Sequence, residues 1–205
     1  MKTKVLLIGC KGNMGRRYAA IMNFHKIPFR GVDIGDKYKL SGYSHAIIAT
    51  PIDTHFKLCQ ETVSSGIPTL CEKPISKDMD EVRQLERLSV AAQTPLYMVN
   101  NWWHIRCERY NRIVFDYYNT GNDGFWDLIQ PVWYSKEFDF NNKCPMYHCF
   151  LDGLEVDRDY FDASYVDMIS SFICNFERNL MRISEAVEAH KKVIAWGKKN
   201  KRFFK

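Results

Sequence analysis

The stretch "GCKGNMG" places Gly9, Gly12 and Gly15 at intervals of three, directly after the apolar run "VLLI". Glycine lets a backbone turn sharply and approach another group closely, and a helix beginning there offers amide donors and a positive dipole end. That chemistry suits a pyrophosphate. The commonest dinucleotide fingerprint is G-x-G-x-x-G, and Lys11 is one residue more than it holds. The insertion is accommodated if Gly12 takes over the close approach. Asp33 follows Gly15 by eighteen residues, at the end of the second apolar run. A carboxylate there can bind both hydroxyls of an adenine ribose and repels a 2′-phosphate, which favours NAD over NADP. Lys37 nearby keeps NADP open.

Two further stretches follow in order. "ATPIDTHF" (Ala49–Phe56) comes after a third apolar run and "CEKPIS" (Cys71–Ser76) after a fourth. Together with the glycine loop they resemble the Gfo/Idh/MocA family of NAD(P)-dependent oxidoreductases, which includes glucose–fructose oxidoreductase and inositol dehydrogenase. The resemblance runs from residue 4 to about residue 100, and Glu72-Lys73-Pro74 is its most specific element. It implies that Gly9, Gly12, Asn13 and Met14 face the pyrophosphate and that Ala49, Thr50 and Pro51 line the nucleotide. It also implies that His55 lies near the cofactor and Glu72 near the nicotinamide. Lys73 then touches the nicotinamide ribose and the substrate and takes part in catalysis, with Lys73–Pro74 often cis in relatives. Oxidising a secondary alcohol needs hydride transfer and removal of a hydroxyl proton, and a lysine beside a positively charged ring suits the proton relay.

The same resemblance implies a sugar, cyclitol or nucleotide-linked sugar as substrate, and a second domain larger than the residues after 100 allow. Relatives carry D-x-G-x-H-x-x-D there. "LDGLEVD" (Leu151–Asp157) resembles it but has Glu155 at the histidine's place, and reads as a hairpin. A shortened C-terminal part is therefore expected, with His104 and His148 as substitute acid–base groups. Trp102 and Trp103 either wall a sugar site or pack the interior. Two alternatives stand beside the dehydrogenase: a non-catalytic nucleotide-binding or scaffold protein, and an imine or double-bond reductase.

The elements that must position these residues alternate. Strands are expected at Val5–Gly9, Phe29–Ile34, Ala46–Thr50, Thr69–Glu72 and Leu96–Val99. Helices fall between them at Met14–Met22, Phe56–Val63 and after Ser76, which is a suitable N-cap. No helical period joins Ile34 to His45, so that crossover is short. The pattern gives an α/β chain: a Rossmann-like doubly wound parallel sheet over residues 1–100 and a small α+β part over 101–205, with a few-stranded antiparallel sheet and closing helices. In the second part an aromatic-rich helix is expected from Asn100 to Gly121 and a strand over Trp126–Phe138. A hairpin is expected at Asp152-Gly153. The final helices span about Ser164–Phe176 and Glu185–Trp196; Ser184 caps the second and Gly197 takes its C′ position. They resemble the family's closing helices.

The composition sets limits. The chain has 205 residues, 46% hydrophobic, with no apolar run near the ~20 residues of a membrane span. The apolar stretch after the basic start is too short for a signal core. Seven cysteines, an odd number without C-x-x-C, suit reduced thiols in a cytoplasmic protein, with neither disulfide frame nor metal site. The net charge of +5 gathers in residues 191–205, as either a solvated helix end or a polyanion-binding tail, and no nucleic-acid motif occurs. The expected partner is a sugar-like small molecule. A homodimer would use the aromatic stretch Trp126–Phe138.

Overall fold

The structure is a computed structural model that describes residues 3–106, 108–116, 124–141 and 148–200. The chain forms two units, Met1–Val99 with Met168–Val187, and Asn100–Asp167 with Glu188–Lys205.

In the first unit β1 (Val5–Ile8), β2 (Phe29–Val32), β3 (His45–Ile48), β4 (Thr69–Cys71) and β5 (Leu96–Met98) form a parallel sheet in the order β5-β4-β3-β1-β2. Val5 pairs with Phe29 on one side and His45 on the other. β1, β3, β4 and β5 are buried along their length, as continuous apolar runs require in a sheet covered on both faces. The covering helices are α1 (Asn13–Phe24), α2 (His55–Ser64) and α3 (Met79–Ala91). Gly15, Tyr18 and Met22 of α1 fall on one buried stripe at helical spacing. Residues 35–44 form no helix, as the missing period implied. Because β2 runs outward from β1 and the chain then returns to β3 on β1's other side, the order reverses at β1 and β3. A ligand crevice is expected at the C-terminal ends of strands where the order reverses.

Asp78, not Ser76, caps α3: its carboxylate accepts from the Asp80 amide at 2.7 Å. Ser76 sits two residues too early, and its hydroxyl is bonded to the Glu81 carboxylate. The segment Met168–Val187 completes this unit. It carries the end of α7 (Arg158–Ile173), where Phe172 meets His45 and Tyr97 edge-on at 5.0 and 5.9 Å. β10 (Met181–Arg182) then adds antiparallel to β5.

The second unit begins with the single turn α4 (Trp103–Arg106) and then β6 (Tyr110–Asp116), in place of the long aromatic helix expected. The aromatic and β-branched run in "YNRIVFD" pairs with strands on both sides, which outweighs its weak helical pattern. Trp126–Phe138 is likewise not one strand. It comprises the end of α5 (Gly124–Asp127), α6 (Ile129–Tyr134) and the start of β7 (Ser135–Asn141). Leu128, Ile129, Val132 and Tyr134 are buried. β8 (His148–Leu151) and β9 (Leu154–Glu155) form the expected hairpin, with Asp152 at φ 51° and Gly153 at φ 86°. The sheet order is β7-β6-β8-β9, and it is mixed, since β6 and β7 run parallel. α8 (Ile183–Lys199) starts before Ser184, and the Glu185 carboxylate accepts from the Arg182 amide at 3.1 Å. Gly197 lies inside α8, where a Cβ would come within 2.4 Å of the Phe125 ring; it gives clearance and does not end the helix.

Tyr97 tests the closure of the first sheet. Burial, followed by the Glu177 carboxylate, pushes its phenol up from 10.0 to about 12. A folded pKa above the unfolded one contributes stability that is present below pH 10 and lost as the pH rises towards about 12. Tyr97→Phe should remove a phenol ionising near pH 12 from a 295 nm titration. It should also flatten the loss of denaturation midpoint over that window.

Candidate nucleotide-binding site

The glycine loop is built by contact. Gly9 ends β1 at φ +90°, and a Cβ there would lie 2.5 Å from the Ala49 carbonyl oxygen. A Cβ at Gly15 would lie 2.0 Å from the Gly9 carbonyl oxygen, so α1 crosses the end of β1 with no space for a side chain. Gly12 differs: a Cβ there would meet its nearest atoms only at 3.4 and 3.5 Å. It is the N-cap of α1, with ordinary φ of −69°, and brings no side chain to the first-turn amides. That turn has no acidic residue either. The amides at Asn13 and Met14 therefore stand at an uncapped helix start, the donor set an anionic pyrophosphate requires. The donor set and the bare Gly12 fit a dinucleotide phosphate.

Lys11, the inserted residue, is held by its backbone. Its amide donates to Asp33 Oδ2 at 3.0 Å, while Asp33 Oδ1 accepts from the Ile34 amide at 2.8 Å. Asp33 thus braces the loop from the end of β2, and each carboxylate oxygen keeps acceptor capacity for a further donor. Gly31 supports the same contact, since a Cβ there would lie 3.0 Å from Cys10 Sγ. The sequence reading did not single out Gly31, although a glycine within a strand is the usual signal of close approach.

The loop after β3 is fixed by His55. The ring is 1% exposed. Nδ1 lies 2.8 Å from the Pro74 carbonyl oxygen and Nε2 lies 2.8 Å from the Thr50 carbonyl oxygen. Both partners are acceptors, and the tautomer decides which ring nitrogen donates. His55 therefore ties the Ala49–Pro51 loop to the loop after β4, and both its nitrogens face main chain. Glu72 is also turned inward, at 8% exposure. The Tyr18 hydroxyl of α1 donates to Oε1, and the Lys73 amide to Oε2 at 3.1 Å. Burial, then neighbouring Cys59 and the Glu72 charge, pushes the Cys71 thiol well up, which leaves it an inert core group. Lys73 is half-buried at the end of β4, and its bond to Pro74 is cis.

Residues 34–100 match the family model described as oxidoreductase family, NAD-binding Rossmann fold (GFO_IDH_MocA). This segment belongs to the Gfo/Idh/MocA oxidoreductases. The chain is accordingly an oxidoreductase with NAD or NADP as its cofactor class. No curated protein sequence matches it. Among solved structures it is similar to a Gfo/Idh/MocA family oxidoreductase from Vibrio cholerae, at 12% identity and TM-score 0.75, covering 98% of this chain and 99% of that one. A putative myo-inositol dehydrogenase from Sinorhizobium meliloti 1021 aligns at 13% identity and TM-score 0.74, over 94% and 95% of the two chains. The WlbA dehydrogenase from Thermus thermophilus, solved with NAD and UDP-GlcNAcA, aligns at 12% and TM-score 0.65, over 93% of each. Likeness at this identity is likeness of fold.

Gly9, Gly12, Asn13, Met14, Asp33, Ala49, Thr50, Pro51, His55, Glu72 and Lys73 all lie in the first unit, at or just beyond the C-terminal ends of β1–β4. His104 and His148 lie in the second unit. His104 is on α4 and 7% exposed. His148 pairs in register with Asp116 of β6. Trp102 is 4% exposed and packs edge-on against Phe161 at 5.8 Å. Its amide donates to Gln130 Oε1 at 3.1 Å, and Gln130 Nε2 donates to Asn101 Oδ1 at 3.1 Å. Packing, not a sugar wall, is therefore the job of Trp102.

The contacts rank the three glycines. Gly15→Ala should cost about 1–3 kcal/mol or more through overpacking against Gly9. Gly12→Ala should cost about 1 kcal/mol at most from the lost N-cap preference, yet weaken NADH binding. Thermal denaturation and NADH fluorescence titration of the two variants check this order; equal stability losses would contradict the geometry.

Proposed function

We propose that this chain transfers a hydride between NAD(P) and the hydroxyl or keto carbon of a sugar, cyclitol or nucleotide-linked sugar, with Lys73 handling the hydroxyl proton. The observation that carries the reading is the convergence of the uncapped α1 start, the Ala49–Pro51 loop and Lys73 at the strand ends where the sheet order reverses. The bound dinucleotide supplies the hydride acceptor or donor. The chain's residues do the rest. The α1 amides and Gly12 hold the pyrophosphate, and Asp33 accepts from the adenine ribose hydroxyls. His55 keeps the loops after β3 and β4 at a fixed spacing. Glu72 positions Lys73 through the Lys73 amide. The sugar-like substrate class is supported by two neighbours of the same fold, a putative myo-inositol dehydrogenase and a dehydrogenase solved with UDP-GlcNAcA.

A nucleotide-binding protein without turnover is favoured by one observation: His104 is buried within the second unit. The two readings differ in a panel of sugars and nucleotide sugars followed at 340 nm. The dehydrogenase reading expects turnover that Lys73→Met abolishes; tight NADH binding without absorbance change on any substrate overturns it. Asp33→Asn should weaken NADH about tenfold, near 1.4 kcal/mol, and narrow the gap between NADH and NADPH. Unchanged affinity for both cofactors would remove Asp33 from the ribose site.

A further inference from the structure

The connection from β2 to β3 leaves a second feature of the first unit. Residues 35–44 cross without a helix, so the outer flank of β2 is not covered by one. A hollow of about 640 Å³ opens there, lined by Lys4, Arg30, Lys37, Lys39, Tyr38 and Tyr43. Lys4 precedes β1, Arg30 lies in β2, and the rest belong to the connection, so three separate stretches bring their cations to one place.

Among the described residues none of these four cations is in an ion pair. The two acids nearest in sequence are used elsewhere: Asp33 accepts from the Lys11 and Ile34 amides, and Asp36 accepts from the Asp33 amide at 2.7 Å. Arg30 donates to the Lys37 carbonyl at 3.3 Å, which holds its guanidinium against the connection. Lys4 Nζ stands 5.2 Å above the Tyr43 ring. Burial, then the Glu61 carboxylate, raises the Tyr38 phenol. Four like charges around one concavity repel, and a multiply charged anion relieves the repulsion at each of them.

Its position separates the hollow from the dinucleotide cradle. Lys4 and Tyr43 precede β1 and β3, whereas the glycine loop and Ala49–Pro51 follow the same two strands. Four residues of strand, about 13 Å, separate those ends. A dinucleotide on the α1 start therefore leaves the Lys4–Tyr43 end of the hollow untouched.

We propose that this hollow binds a polyphosphate-bearing anion, its contiguous phosphates held by Arg30, Lys4, Lys37 and Lys39. The anion is either an inorganic polyphosphate or the phosphate chain of a nucleoside triphosphate, and the half-buried Tyr38 is the ring beside which a base would lie.

The test uses the full chain in low salt with saturating NADH, titrated calorimetrically with inorganic tripolyphosphate and, separately, with ATP. Tripolyphosphate should bind, raise Tm by about 2–4 °C, and weaken steeply with added salt. Tighter binding of ATP assigns the nucleotide source, and equal binding the free polyphosphate. Arg30→Gln with Lys39→Gln, both exposed side chains, should weaken either probe at least tenfold while leaving NADH affinity unchanged. Arg30→Lys with Lys39→Arg keeps the charge and should retain binding within about threefold, which separates lost charge from lost folding. Absence of binding, full affinity in the double glutamine variant, or displacement of the probe by NADH overturns the proposal.

Discussion

A Cβ on Gly15 would stand 2.0 Å from the Gly9 carbonyl oxygen, and a Cβ on Gly9 would stand 2.5 Å from that of Ala49. These two clearances decide how closely α1 and the end of β3 approach β1. Everything at the strand ends follows from them. Once α1 crosses the end of β1 at backbone contact, its first amides face the crevice beside β3, and the loop after β3 has one place to go. The glycine in the middle of the motif is free of this constraint. Gly12 is bare for what approaches from outside, while Gly9 and Gly15 are bare for what packs within.

Around that steric centre, polar groups act as internal ties. His55 and Glu72 are buried, yet each has partners: His55 lies between two main-chain carbonyls, and Glu72 accepts from the Tyr18 hydroxyl and the Lys73 amide. A buried polar group without partners would cost about 1–3 kcal/mol, so these side chains hold the loops only in this arrangement. Asp33 does the same from β2, at the one position where Lys11 lengthens the loop. Three side chains that motif matching assigns to the ligand thus also carry the geometry of the site. Cradle and scaffold are the same residues because the loops are short and have little else to brace them.

The second unit is organised differently. Its interior holds a chain of buried amides and hydroxyls, Gln130 to Asn101 to Ser164, beside the rings of Trp102 and Phe161. Such networks are specific to one arrangement because each member needs its partner. They leave no periodic trace along the chain, since the partners lie 63 and 29 residues apart.

The sequence by itself determined the parallel sheet of the first unit, the helix between each strand pair except at 35–44, and the residues gathered at the strand ends. It could do so because buried parallel strands need unbroken apolar runs, covering helices need one apolar stripe, and a tight strand-to-helix turn needs glycine. Each requirement is local and leaves a mark within a few residues. Tertiary structure alone decided that "YNRIVFD" is a strand and "IQPVWY" a helix, because aromatic and β-branched residues serve either once a neighbour is present to pair with or pack against. It decided that Gly197 clears the Phe125 ring, and that Asp78 caps α3 in place of Ser76. It also decided that His55 turns both nitrogens onto main chain. A side chain's type states which bonds it can make, and only the packed chain supplies the atoms that take them.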